Sequence, residues 1–372
     1  MANQKQKKVF VGLSGGVDSS VAAFLLKKRG YQVVGCFIKG YNLDGCAEKD
    51  AQDARRVAEH LKIPFYVFDL EKEYKEKVVD YMINGYKKGL TPNPDVMCNK
   101  EIKFGLFLKK ALEMGADFIA TGHYVRQKLE NGNWKLEMAR DSAKDQSYFL
   151  WTLTQEQLKH CLFPIGNYLK SEVRQIAKKA GLPTAEKKDS QGICFLGQVN
   201  LLEFLQKHLP LKKGKILTVE GKKIGEHNGA YFYTIGQRHL KISNIKNQKP
   251  KNLPFYVAQK DIKTNTLIVA EGSENPALFK KEIKLIDLNF IVPQTEILAL
   301  GFKQKREWKV PVMARVRYRQ PLAPATLYFS KNKKIAKLIF DHPQKFVAPG
   351  QSAVFYKKER SFFQMLGGGV IF

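Results

Sequence analysis

Cysteine, acidic side chains and long apolar runs are all scarce in this chain, and each scarcity excludes something. Cysteine occurs five times in 372 residues, at 36, 46, 98, 161 and 194. No two stand in Cys-x-x-Cys spacing and no nearby histidine pair completes a ligand set, so no structural metal site is expected. An odd, sparse set also argues against a disulfide scaffold. No stretch approaches the roughly 20 apolar residues that a membrane-spanning helix needs. The first eight residues lead into a strand with neither an apolar signal core nor an Arg/Ser-rich presequence, which points to a cytoplasmic protein with no membrane partner. Internal repeats and extended low-complexity segments are absent. So is a Walker A loop, since no Gly-Lys-Ser/Thr closes a glycine turn.

The shortage of acid leaves a large positive balance: 63 Lys+Arg against 35 Asp+Glu, formally +28. Such a field draws polyanions, of which nucleic acid is the usual one. A lysine-rich background is the plainer explanation, but the excess is concentrated. Residues 301 to 360 hold fifteen basic and three acidic side chains.

The most telling stretch that is present is Ser14-Gly15-Gly16-Val17-Asp18-Ser19. A short apolar strand, Val9 to Leu13, precedes it, and a helix from Ser19 to Arg29 follows, stopped by Gly30. Two glycines let the backbone turn tightly and approach a ligand. Ser14, Ser19 and Ser20 add hydroxyls, and unpaired N–H groups at the helix start make an anion site. The loop reads as a pyrophosphate cradle for ATP; the plain alternative is a tight turn with polar caps. It resembles the loops of enzymes that split ATP at the α-phosphate, adenylate a carbonyl or carboxyl oxygen and release pyrophosphate.

Strands and helices alternate through the first two hundred residues. Expected strands are Tyr31 to Ile38, Phe65 to Leu70 and Asp117 to Thr121; expected helices are Lys49 to Leu61 and Glu101 to Met114. This rhythm implies a doubly wound parallel sheet of α/β class, with ligands at the carboxyl ends of its strands. Beyond about 210 the pattern turns to short β runs, including Phe255 to Gln259, Thr266 to Ala270, Val312 to Tyr318, Ala325 to Phe329 and Ile335 to Phe340. A loop is expected at 241–251 and a turn at 331–334. The expected division is 1–205 for the nucleotide domain, 206–281 for a small, mostly-β central domain, and 282–372 for a basic C-terminal β-barrel.

Cys36 and Cys161 read as small buried hydrophobes, and Cys46 sits in a polar loop. Cys98 lies in Thr91-Pro92-Asn93-Pro94-Asp95-Val96-Met97-Cys98. The two prolines should stiffen an exposed loop, and a following helix end with Lys100 and Lys103 should lower the thiol pKa. Asp95 is placed to act as a local base. Cys194 lies between Gly192 and Gly197 in a basic loop, where a structural cysteine has little to pack against. A mobile glycine-flanked loop facing a stiff proline-flanked one suggests two thiols that can meet.

Taken together the chain closely resembles the tRNA-specific 2-thiouridylases. The resemblance is carried by Gly12 to Ser20, Thr91 to Phe104, Ala120-Thr121-Gly122-His123-Tyr124, Lys144 to Leu150, Asp189 to Phe195, Thr234 to Arg238, Arg317 to Gln320 and Pro349 to Tyr356. It implies that ATP, with Mg2+, is held by Gly12, Leu13, Ser14, Gly15, Gly16, Val17, Asp18 and Ser19, with Ile38 and Gly122 lining the nucleotide. It implies that Cys194 carries a persulfide from a cysteine desulfurase or a sulfur-relay protein, and that Cys98 is the nucleophile that ends in a Cys98–Cys194 disulfide. Asp95 would be the general acid/base. Asn93, Pro94 and Asp95 would touch the target base, and Lys144, Asp145, Gln146, Arg317 and Tyr318 would contact tRNA, in the anticodon loop of Lys, Glu and Gln acceptors. One departure is Ile38-Lys39-Gly40-Tyr41, where Met-Lys-Asn-Trp is expected. Two other readings compete: an ATP-dependent amide ligase or synthetase of the same fold, and a basic RNA-binding protein without catalysis.

Overall fold

Alternate residues of the strand Lys8–Gly12 (β1) serve two separate cores, which is what a strand buried on both faces requires. Val9 and Val11 pack toward the helices Val17–Lys28 (α1) and Cys46–His60 (α2) and toward the helix Lys170–Lys179. Phe10 faces the other way, into a core shared with Cys36 and the helical stretches 71–87 and 94–113. The computed structural model describes residues 6–41, 45–189, 199–238, 240, 253–304, 307–330 and 335–372. Cys194, the 241–251 loop and the 331–334 turn therefore lie outside the described residues, as does the side chain of Cys46.

On either side of β1 run Gln32–Lys39 (β2) and Phe118–Ala120 (β4), flanked in turn by Phe65–Asp69 (β3) and Cys161–Leu162 (β7). The order β3-β2-β1-β4-β7 is parallel throughout. The doubly wound sheet is as expected. Its order reverses between β1 and β4, so their carboxyl ends open the crevice where such sheets bind ligands.

Two features were not expected. A hairpin, Val125–Glu130 (β5) and Asn133–Met138 (β6), turns on Asn131 and Gly132, both at positive φ as a tight two-residue turn demands. The second is the helix carrying Cys98. It begins at Pro94, earlier than expected, and Cys98–Phe107 is wound as π-helix between α-helical Pro94–Met97 and Leu108–Glu113. Wide winding of this kind is rare and often marks functional sites.

The central strands Gly214–Thr218 (β8), Lys223–His227 (β9), Phe255–Asp261 (β10) and Thr266–Glu271 (β11) form one sheet in the order β10-β11-β8-β9. Farther on, Phe279–Phe290 (β12), Glu307–Arg315 (β14), Ala323–Phe329 (β15), Ala336–Lys345 (β16), Ser352–Lys358 (β17) and Phe363–Ile371 (β18) close into a six-stranded barrel. A short strand, Phe302–Gln304 (β13), pairs with β14. The hairpin β5–β6 belongs to this sheet: Leu136 pairs with Met365 and Glu137 with Gln364. The barrel is thus sewn to the nucleotide domain by backbone hydrogen bonds. Among the described residues no helix is long and apolar enough to cross a membrane.

Candidate active site

The glycine loop sits at the carboxyl end of β1 and opens α1. Gly15 has φ +71°, and a Cβ there would stand 2.4 Å from the Asp50 carbonyl oxygen, so only glycine fits without displacement. Gly16 is the residue before the helix and provides no side-chain cap. The first N–H groups of α1 are therefore not masked by such a cap. Ser14 and Ser19 hold each other: the Ser14 N–H donates to Ser19 Oγ at 3.1 Å and the hydroxyls are 3.2 Å apart. The Ser20 hydroxyl donates to the Gly16 carbonyl at 2.7 Å. Gly122, just past β4, presses on the same helix start. A Cβ on it would meet the Ser19 nitrogen at 2.6 Å. Ile38 lies near the carboxyl end of β2, two residues beyond Cys36, whose carbonyl accepts the Leu13 N–H at 2.7 Å.

Asp18 is not an idle carboxylate. Lys170 Nζ contacts its two oxygens at 2.7 and 2.9 Å, and the Tyr124 hydroxyl donates to it at 2.8 Å. Lys170 also pairs with Asp189 at 2.8 Å, and Lys144 and Arg174 join Asp189 at 2.7 and 2.8 Å. Burial works to raise the Asp189 carboxyl, but hydrogen bonds from Lys144 and Lys170 outweigh it and hold the pKa at about 2. Lys187 spans to Asp50 and Asp53 of α2 at 2.7 and 2.6 Å. Asp189 is therefore tied through Lys170 to Asp18 of the glycine loop, and Lys187 to α2. Lys170 was missed in the sequence because nothing local marks it; it reaches Asp18 only through the tertiary fold.

Cys98 corrects an expectation. Segment 91–94 is buried, not an exposed loop, and Cys98 lies a turn inside a helix whose start is capped by Asn93 Oδ1, accepting the Val96 N–H at 3.2 Å. Burial pushes the thiol up; Lys103 and a hydrogen bond with Tyr74 pull it down, and Asp95 pushes it further up, for a net rise. Burial likewise raises the Asp95 carboxyl against the opposing pull of Lys103. Buried His123 is held well below its usual value by desolvation and then by Lys103, with its Nδ1 2.7 Å from the Thr121 hydroxyl. Lys103 thus acts electrostatically on Asp95, Cys98 and His123 together. Cys36 and Cys161 are buried as expected, the former pushed up to about 12.

The Cys98 helix packs directly on the crevice at the carboxyl end of β1. The Phe107 ring lies 3.7 Å from where a Gly12 Cβ would be, and the Phe104 ring is centred 5.8 Å from that of His123. At the Ile38-Lys39-Gly40-Tyr41 departure, the Tyr74 ring fills the space of a Gly40 side chain, within 2.8 Å of the missing Cβ. That ring is the one whose hydroxyl meets Cys98.

Residues 144–146 serve as three internal ties. Lys144 holds Asp189, and Gln146 accepts the Tyr124 N–H at 3.0 Å. Asp145 departs from the expected RNA-facing role: it is buried, with Arg315 of β14 at 2.6 Å and the Ser147 hydroxyl at 2.9 Å. Removing one partner of such a buried pair strands the other charge. The Tyr318 ring lies tilted against that of Phe149, centroids 4.4 Å apart, and Arg317 lies over Phe346. Both are half-buried beside this knot.

The site belongs to a three-part architecture that known families share. Residues 7–198 match a model described as the tRNA methyl transferase HUP domain, 202–271 the tRNA methyl transferase PRC-barrel domain, and 280–371 the aminomethyltransferase beta-barrel domain. Among curated relatives, the tRNA-specific 2-thiouridylase MnmA 2 of Geobacillus kaustophilus is 45% identical over 372 residues, covering 98% of this chain and 95% of that one. The tRNA-specific 2-thiouridylase MnmA of Francisella philomiragia is 44% identical over 374 residues, covering 99% of each. A solved 4-thiouridine synthetase–RNA complex with bound ATP is a distant likeness, 22% identical with a TM-score of 0.34 over 54% of this chain and 50% of that one. The chain belongs to the tRNA-specific 2-thiouridylase family.

Proposed function

We propose that this protein is a tRNA-uridine 2-sulfurtransferase, converting the wobble uridine of tRNA to 2-thiouridine at the expense of ATP, which becomes AMP and pyrophosphate. The observation that carries this is the packing of the helix bearing Asp95 and Cys98, through Phe104 and Phe107, on Gly12 at the entry to the glycine loop and on His123. The full-length relatives support it by name.

Uracil C2 is a poor electrophile, so O2 must first become a leaving group. Gly12 to Ser19 would seat the ATP phosphates, with Ile38 and Gly122 beside the nucleoside. Attack of O2 on the α-phosphorus expels pyrophosphate. The terminal sulfur of a Cys194 persulfide then adds to C2, and AMP leaves. Cys98 attacks the Cys194 sulfur, the S–S bond to the transferred atom breaks, and that atom stays on C2. The product Cys98–Cys194 disulfide needs two electrons from an external thiol. Asp95, with its raised pKa, would hold and pass the proton.

A base reached in this way suits single-stranded recognition, in which bases splay out of the stack. Asn93, Pro94 and Asp95 would border the target base, and Lys144, Gln146, Arg317 and Tyr318 would meet the anticodon arm of Lys, Glu and Gln acceptors. The same reading takes 1–205, 206–281 and 282–372 as working units, a cytoplasmic setting, and a desulfurase or relay protein as sulfur source. The test is mass spectrometry of nucleosides from tRNA incubated with the protein, ATP, Mg2+, a reducing thiol, and a cysteine desulfurase with cysteine as the persulfide source. An oxygen-to-sulfur gain on the wobble uridine is expected. A methyl gain on adding a methyl donor, with no sulfur gain, would instead favour a tRNA methyltransferase.

A further inference from the structure

Two of the distinctive stretches, Thr234 to Arg238 and Pro349 to Tyr356, have no part in the reaction as written. Both converge on one place. The turn Leu90-Thr91-Pro92 leads into the Cys98 helix, and Thr91 is buried. From the barrel, the Pro349 carbonyl accepts the Thr91 N–H at 2.7 Å. Gln351 Nε2 donates to the Thr91 carbonyl at 3.0 Å and more weakly to that of Pro92 at 3.4 Å. Both sides of the Thr91 residue are thus held by one loop. That approach is possible because residue 350 is glycine: φ is +90°, and a Cβ would stand 2.9 Å from the Thr91 nitrogen. From the central domain, the Thr234 hydroxyl lies 3.4 Å from that of Thr91, and the Thr234 N–H is fixed by Gln237 Oε1 at 3.0 Å.

Gln351 is itself anchored in the barrel. Its carbonyl accepts the Ile371 N–H at 2.8 Å, and the Gly350 N–H donates to the Ile371 carbonyl at 2.8 Å. On the far side of the contact, Pro92 and Pro94 fix two φ angles. The residues before them are restricted as well. A shift at Thr91 is therefore passed to Asp95 and Cys98 instead of being absorbed. Buried carbonyls left without donors would also be costly.

We propose that Gln351 is a positioning residue for Asp95 and Cys98, a strut through which the seating of the barrel sets the placement of the reacting helix. This rests on the reading that Asp95 and Cys98 carry the chemistry. It predicts that the barrel does more than hold tRNA: it keeps the thiol in register with the activated base.

The experiment compares full-length wild type with Gln351→Met and Gln351→Glu, measuring 2-thiouridine formation on transcribed tRNA with ATP, a reducing thiol, and a cysteine desulfurase with cysteine as the persulfide source. Gln351→Met, similar in shape but without the donor, should lower kcat roughly 10- to 100-fold while KM for ATP and tRNA stays within about twofold. In Gln351→Glu an ionised carboxylate faces two carbonyl oxygens, whereas the protonated acid restores one donor. Its activity relative to wild type should therefore climb as pH falls from 8 to 6. A Gln351→Met enzyme with wild-type kcat overturns the proposal. So does a loss matched by a fall in active-enzyme titre, together with a pH-independent Glu-to-wild-type ratio, because that is the mark of a merely structural residue. If Gln351→Met does not fold, the pH dependence of that ratio decides alone. A wild-type protein that forms no 2-thiouridine sinks the underlying reading, an outcome separate from a variant that loses nothing.

Discussion

The glycine loop and the Cys98 helix lie against each other yet are built by opposite means. The loop is made by local chain: six consecutive residues, a left-handed Gly15 and the backbone N–H groups of a helix start. The Cys98 site is made by distant chain: Tyr74 on its thiol, the barrel on Thr91, Lys103 acting on three groups. The lesson is that phosphate recognition can be carried by backbone alone, whereas tuning a thiol and a carboxyl needs surroundings that only folding supplies.

That contrast can be broken or sharpened. The largest effect is expected from Cys98→Ser, which should reduce 2-thiouridine formation at least about 10³-fold. tRNA-dependent pyrophosphate release should continue within a few-fold of wild type. Loss of both would show that the two sites are not separable. Second, alkylation of Cys98 in the free enzyme, followed on its peptide by mass spectrometry, should be slow at pH 7. Because burial raises the thiol, the thiolate fraction grows as pH climbs toward the raised value, so the rate should rise roughly 100-fold by pH 9 without levelling. A plateau near neutrality would mean a lowered thiol and contradict the buried setting.

Third, Gly15→Ala places a methyl group against the Asp50 carbonyl in a strained backbone. ATP binding by calorimetry should weaken roughly 10- to 100-fold, and alkylation of Cys98 should be unchanged. Altered alkylation would couple the two regions more tightly than their packing suggests. Smallest is acid stability. The Asp189 carboxyl, at about 2 in the folded chain against about 3.9 unfolded, stabilises fully above the unfolded value. That contribution is lost as pH falls toward 2. Its half-exposure limits the gain to below about 1 kcal/mol. The melting difference between wild type and Asp189→Asn should shrink between pH 5 and pH 2; a difference that grows on acidification would reverse the sign.

Legibility in the sequence follows the same division. The strand–loop–helix of Gly12 to Ser19 and the parallel sheet could be read because each signal spans a few neighbouring residues. The state of Cys98 could not. Its sequence offers two prolines and two lysines, which read as an exposed, thiolate-favouring loop, and nothing nearby announces Tyr74 on the thiol or the barrel residues that hold Thr91. Asp145 failed for the same reason, since its partner Arg315 is far away in the chain. The β5–β6 hairpin is different: Asn131-Gly132 is a strong turn signal that was present and not read.

That hairpin has a consequence for the order of biosynthesis. Its second strand, β6, is made early, but the strand it pairs with, β18, emerges more than two hundred residues later. Until then a nascent polypeptide carries an open edge with free N–H and C=O groups, the kind of template on which chains misassociate. Ribosome-bound intermediates of this protein should therefore lean on chaperones until β18 clears the exit tunnel.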